Sequence, residues 1–334
     1  MPTIHPELRA AWEAKVRDLG WGGPGIEPLR EVFARTADPA IRTALEPDRL
    51  SEMLWTSVLL ARLAWIAPER TISVYDEMAE RWLGGTFMRF DGPPVGDDTV
   101  ARLAGAAPLP PDLPGLLWQL AEDGIDSPTV TQRIAAFGAA YPPAHRDACA
   151  RAMEAHAGWR ELARKTAMPR TQLGDVAGCA PGTLGHAFHR LIVENGFDVE
   201  VLDPDSVVGY HPVIDPTNRR ILQTHEILHL IAGYSTSALH EVAISGFQLA
   251  QFGHGYSRDF LATAFTITAL TMPVLAPVFL QMTLEGWRHG RQTRPLMLVD
   301  WDALWNEPMD AIRERHGVRP FASALPDMQM PAGA

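Results

Sequence analysis

Apolar positions recur at helical spacing along most of the chain. Leu8, Trp12, Val16 and Leu19 fall on one stripe, the period of an amphipathic helix. Pro6 suits a first helical position, where its missing N–H would have no intrahelical acceptor, so the pattern predicts a helix over 6–20. Asp48 is placed to cap a second helix, LSEMLWTSVLLARLAWIA, which is apolar almost all round and is therefore expected to be buried. Pro68 opens a third, ended by Gly84 and Gly85. Between 91 and 114 the pattern breaks at Pro93, Pro94, Pro108, Pro110, Pro111 and Pro114. Proline fixes φ and lacks a donor, so this stretch reads as a linker with at most one short helix, dividing residues 1–110 from residues 116–325. Helical periodicity resumes over 116–123, 128–140, 143–157 and 181–195. Residues 197–214 read as extended. A helix then runs from Asp215, with Pro216 at its first position, to Gly233, and another covers 237–252. The expected fold is all-α, a multi-helix domain.

Residues 260–284, FLATAFTITALTMPVLAPVFLQMTL, carry no charge. Their length alone would allow a bilayer crossing. Five threonines, Gln281, Pro273 and Pro277 argue against one, and no basic cluster flanks the run. A buried pair of short helices is expected, and its functional version is an apolar channel for a long ligand.

The chain has 334 residues, 46% of them hydrophobic. That is enough to fill a core and excludes disorder as the main state, in one large domain or two smaller ones. The net charge is −11 with no Lys/Arg block, which excludes a nucleic-acid backbone as the partner, since that binding needs clustered cations. Cys149 and Cys179 are the two cysteines, too few for a disulfide framework or a Cys-only zinc site. MPTIHPELRAAWEAK lacks a basic segment followed by an apolar run, so no secretion signal is expected.

The chemistry concentrates in THEILHLIAGYSTSALHEVAISGFQLAQ, residues 224–251. His225 and His229 are four apart, which puts both imidazoles on one helix face, one turn apart. Gly233 can end that helix in the left-handed conformation. YSTS then turns the chain, and the next helix brings Glu241 back toward the histidines. Two imidazoles and a carboxylate suit Zn²⁺, or Fe²⁺ as a facial triad with open positions. Glu226, about 100° round the helix from His225, is a candidate fourth ligand or a general base. The bland alternative is a pair of core histidines hydrogen-bonded to carboxylates. HEILH also fits the HExxH of zinc peptidases, but Ala232 and Ser235 stand where the extended form needs Gly and His.

Residues 225–241 also resemble the HDxxH-x11-E hallmark of the fourth coenzyme Q biosynthesis protein, the Coq-four family of ubiquinone synthesis. His225, His229 and Glu241 fall at the family spacing. Arg220 lies five before the first His, Gly233 follows the second at the family interval, and Phe247 and Gln251 recur after the Glu. Upstream, GTLGHAFHRLIVENG at 182–196 is similar to the family's GTLGRxYxxFLxxNG. Downstream, 289–318 is similar to its C-terminal segment, with Gly290, Arg291, Trp305, Ile312, Arg313 and Gly317 in place. The resemblance spans roughly 116–320 and leaves 1–110 outside, an extension of unknown role. Two departures stand out: Glu226 replaces an Asp, and His240 replaces a common Gly before Glu241.

The resemblance implies an all-helical protein lying peripherally on a membrane, here the inner membrane from the cytoplasmic side. It implies a metal site at His225, Glu226, His229 and Glu241 holding Zn²⁺ or Fe²⁺. The implied reaction removes the ring carboxylate at C1 of a prenylated 4-hydroxybenzoate and installs a hydroxyl there. Arg220 or Arg291 would pair with the carboxylate and Glu226 would move protons. Implied partners are the prenylated quinone precursor, other quinone-biosynthesis enzymes and a second copy of the chain. Residues 260–284 would border the lipid tail. A non-catalytic prenyl-lipid scaffold is the alternative, and a zinc peptidase a third class. His186 and His189 are expected at the surface, His211 and His254 carry no assigned role, and the tryptophans at 12, 55, 65, 82 and 118 are expected to fill the core.

Overall fold

A computed structural model describes residues 50–90, 112–123, 130–156, 171–197, 211–272 and 275–325, with Arg9, Ala10, Trp12 and Trp159. Among these residues all regular structure is helical and no strand occurs; a lone bridge joins Thr183 to Pro308. The α-helices are α1 (Leu50–Trp65), α2 (Thr71–Leu83), α3 (Asp112–Asp123), α4 (Val130–Ala140), α5 (Pro143–Glu154), α6 (Leu173–Val176), α7 (Leu184–Asn195), α8 (Ile214–Ala232), α9 (Ala238–Phe252), α10 (Gly255–Thr271), α11 (Ala276–Gln292) and α12 (Met309–His316). The all-α expectation holds. Most of the helix expected over 6–20, most of the 91–114 segment and nearly all of the extended stretch at 197–214 lie outside the described residues.

The uncharged run is two helices. α10 ends at Thr271 and α11 restarts at Ala276 with Pro277 in its first turn, where a missing N–H costs nothing. The hydroxyls of Thr266, Thr268, Thr271 and Thr283 donate back to the carbonyls of Ala262, Ala264, Ile267 and Phe279. These four hydroxyls are thus satisfied inside their own helices, while the Thr263 hydroxyl is buried without a partner. Leu261, Thr263, Phe265 and Leu284 are buried. No helix among the described residues is long and apolar enough to cross a membrane. The stretch packs as the expected pair of helices, α10 against α1 and α4, and α11 against α2 and α9.

The tightest pairing is α9 on α11, along a seam of three glycines. A Cβ on Gly290 would sit 2.6 Å from the Phe247 carbonyl oxygen, and one on Gly246 or Gly286 would be closer still to the carbonyl oxygens of Thr283 and Ala243. Without side chains there, the two backbones touch. The seam fixes how far α9, and Glu241 at its start, stand from α11.

α1 and α2 belong to the same core as α9, α10 and α11: Leu59, Trp65, Tyr75 and Trp82 form one buried cluster with Phe247, Phe265 and Trp287. Asp76 of α2 is the polar tie. It accepts hydrogen bonds from Trp287 Nε1 at 2.9 Å, Arg291 Nε at 3.1 Å and Arg89 Nε at 2.7 Å. Asp76 and Arg291 are both buried. Removing one partner of such a pair leaves an uncompensated charge and costs about 3–5 kcal/mol. Asp76→Ala is therefore expected to lose that much in urea denaturation, and a variant within about 1 kcal/mol of the parent would contradict the assignment.

Candidate metal centre

α8 carries both histidines. It ends at Gly233, in the left-handed region at φ 79°, whose N–H donates to the His229 carbonyl. Ser237 then caps α9 by accepting the His240 N–H. This short connection folds the first turn of α9 over the last turns of α8. The imidazole centroids of His225 and His229 are 4.8 Å apart and their Nε2 atoms 3.1 Å apart. Glu241 places Oε1 3.2 Å from His229 Nε2 and Oε2 3.5 Å from His225 Nε2. His229 is buried, while the Glu241 side chain is 38% exposed, so the group has a deep side and an open side.

Each imidazole is held from behind. His229 Nδ1 lies 3.3 Å from the Tyr234 carbonyl. A carbonyl only accepts, so Nδ1 carries a proton and Nε2 is the nitrogen that faces the cluster. His225 Nδ1 lies 2.9 Å from the Gln248 amide. The other amide atom of Gln248 is 3.3 Å from Ser257 Oγ, which is 2.9 Å from His254 Nδ1. Gln248, Ser257 and His254 are all buried. Tyr234 is fixed in turn by its hydroxyl on His289 Nδ1 at 2.7 Å and by stacking on Phe321.

The C-terminal segment closes the end of α8. Arg313 donates to the carbonyls of Leu230 and Ile231, and the Phe321 N–H donates to that of Ala232. These are the carbonyls a helix leaves unpaired at its C-terminus.

Burial alone would depress the His225 imidazole, but the hydrogen bond and charge of Glu241, with the charge of Glu226, push it up to about 9. Burial alone would raise the Glu241 carboxyl, and the two imidazoles hold it below the usual carboxylate range instead. The set of two imidazole nitrogens and a carboxylate within 4.8 Å is a donor set that fits a divalent transition ion.

The structure therefore brings together His225, His229 and Glu241. It does not bring Glu226 into that group. Its carboxyl lies outside the cluster of three donors, and its Oε2 is buried with no hydrogen-bond partner. Arg220 is elsewhere too: its Nε donates to the Met297 carbonyl at 3.3 Å and its Nη2 to that of Val299, pinning the loop after α11 to α8. Arg291 is engaged by Asp76. His240 Nδ1 accepts the Ser235 N–H at 2.8 Å and so shapes the turn. Gln248 and its relay were missed. Gln248 is seven residues after Glu241, hence on the same face of α9, and that spacing is the signal that would have found it.

A family model described as coenzyme Q (ubiquinone) biosynthesis protein Coq4 matches residues 121–322. The ubiquinone biosynthesis protein COQ4 homolog, mitochondrial, of Mus musculus is 25% identical over 143 residues, 42% of this chain and 51% of that protein. The COQ4 protein of Eremothecium gossypii is 24% identical over 156 residues, 45% and 46% of the two chains. The chain thus spans about half the length of the curated relatives it matches. A solved structure from Nostoc punctiforme is 25% identical and covers 61% of this chain and 95% of its own, with a TM-score of 0.48. α1 and α2 precede the matched region yet pack into its core. With the match running over more than half of its length and through His225, His229 and Glu241, the chain belongs to the coenzyme Q (ubiquinone) biosynthesis protein Coq4 family.

Proposed function

We propose that His225, His229 and Glu241 bind a divalent ion, zinc or iron, and that the protein uses this centre to remove the C1 carboxylate of a prenylated 4-hydroxybenzoate-type ring and install a hydroxyl there. The observation that carries this reading is the convergence of three donor side chains within 4.8 Å on a half-open face, with both imidazoles oriented by groups behind them. A bound ion would supply Lewis-acid stabilisation of the charge that develops as CO₂ leaves; installing the hydroxyl would further consume dioxygen and two electrons from an external reductant, which iron could relay and zinc could not. The protein's own part is positional and protonic. The Tyr234 carbonyl and the Gln248 amide hold the rings in place. Glu226, half-buried one residue on from His225 with an unpartnered carboxyl oxygen, is suited to take and return a proton. The work would take place at the membrane surface, where prenylated precursors reside, with a second copy of the chain and the other enzymes of the pathway. A peptidase would need an edge strand to hold its peptide, and the described residues include none.

The test is His225→Ala in a host lacking its own homologue. The expected outcome is loss of copurified metal and of quinone, with the helical circular-dichroism spectrum kept. Loss of metal with normal quinone would replace the enzyme by a lipid-binding scaffold, and a parent protein that binds neither zinc nor iron would remove the metal reading.

A further inference from the structure

Neither arginine expected to hold an acid is free to do so, since Arg220 faces backbone carbonyls and Arg291 faces Asp76. A third arginine is differently placed. Arg258, in the first turn of α10, is 2% exposed and borders a cavity of about 70 Å³ between α4, α5, α8 and the start of α10. Its Nη2 donates to Cys149 Sγ at 3.0 Å, and its Nε has no hydrogen-bond partner. The nearest carboxylate, Asp259 Oδ1, stands 3.8 Å from that Nε and accepts instead from the Tyr141 hydroxyl at 2.8 Å. Burial pushes Asp259 up to about 7, so near neutrality this carboxyl offsets the guanidinium incompletely. A buried N–H donor on a cation with no acceptor is costly.

We propose that this cavity binds the carboxylate end of an organic acid, with Arg258 as its ligand. The planar fork of a guanidinium matches a carboxylate, and the walls contributed by Ile134, Met153, Ile214 and Leu222 suit the carbon skeleton behind it. The volume is about half of the roughly 150 Å³ that admits a benzene ring. The carboxylate and its neighbouring carbon therefore sit inside, and the remainder leaves through the rim, where Ala135, Gly138 and Tyr256 are partly exposed. Asn218 also lines the cavity, with an Oδ1 that lacks a partner.

The cavity is tied to the metal centre in two ways. Asn218, Leu222, His225 and His229 form one stripe of α8, spaced four, three and four residues. His254, which borders the cavity, reaches His225 through Ser257 and Gln248. The inference deepens the proposed function and rests on it for the identity of the acid, but binding itself can be read on protein without metal.

The experiment is calorimetric titration of metal-stripped full-length protein with benzoate and with benzyl alcohol, which share a ring and differ in charge. Benzoate is expected to bind at least about tenfold more tightly, the value of one charge-assisted hydrogen bond. Arg258→Lys, which keeps the charge and loses the Nε–H, should weaken benzoate by a similar factor. Gly138→Leu is the second variant. A Cβ there meets no atom within 4 Å, so the helix accepts it while the side chain obstructs the rim, and benzoate binding should vanish with the fold and metal uptake intact. His225→Ala should leave benzoate binding unchanged. Equal affinity for acid and alcohol, or undiminished benzoate binding in Gly138→Leu, overturns the site. Benzoate binding lost in His225→Ala would place the anion at the metal centre and overturn it as well. Failure of metal uptake alone bears on the function proposed above and leaves this site standing.

Discussion

Gly286→Ala should cost this protein most of its stability, although it adds one methyl group in the middle of a helix. On exposed helices that change is favourable by about 0.5–1 kcal/mol. Here the methyl would land inside the van der Waals radius of the Ala243 carbonyl oxygen, with the Ala243 carbonyl carbon and Cα next in line. None of these is the end of a flexible side chain, so relief requires α9 and α11 to move apart. Overpacking by a single group in a core costs about 1–3 kcal/mol when side chains can adjust. Backbone against backbone puts this case above that range, against a total of roughly 5–15 kcal/mol for a typical domain. Gly138→Ala, on α4 with open space at its Cβ, is the control and should be neutral or slightly stabilising. Urea midpoints of the two variants decide the matter, and equal midpoints would mean that the seam is looser than described. Because α9 carries Glu241, Gly286→Ala should also displace that carboxylate from His225 and His229.

The second large effect is acid lability. Burial is the chief reason that His145, His156 and His254 are held down to about 3 and His289 to about 4. In an unfolded chain each would titrate near 6.5. Below that pH the unfolded state takes up protons that the folded state refuses, so stability rises with pH across the window from about 4 to 6.5 and is complete above it. Each proton is worth about 1.4 kcal/mol per pH unit, so four together remove several kcal/mol between pH 6.5 and 5. The denaturant midpoint should fall steeply over that interval, and His156→Gln should flatten the fall by about a quarter. An unchanged midpoint at pH 5 would show that these imidazoles are open to solvent.

The convergence of His225, His229 and Glu241 was legible in the sequence because its geometry is local. A spacing of four on one helix, a glycine stop, a serine cap and a carboxylate in the next first turn need no long-range information. The break in 260–284 was legible from Pro273 and Pro277 for the same reason. The roles of the arginines were not. Arg220, Arg291 and Arg258 look alike in sequence, and what separates them is whether a carbonyl, Asp76 or a cavity lies opposite, which only the tertiary fold decides. The proline-dense segment likewise limits the chain to at most one short helix there, and α3 takes up its last three residues from Asp112, but it says nothing about where α1 and α2 pack. The glycine seam was invisible too: Gly246, Gly286 and Gly290 are far apart in sequence or lie in helical patterns that treat glycine as a blemish.

The capping of α8 has a consequence for how the protein matures. Arg313 and Phe321, which hold the last carbonyls of the helix bearing His225 and His229, are among the last parts of the described chain to leave the ribosome. A nascent chain that has emerged through α11 already carries His225, His229 and Glu241, yet the helix end beside them is still unfastened. The final arrangement of these three side chains therefore waits on the segment that follows α11.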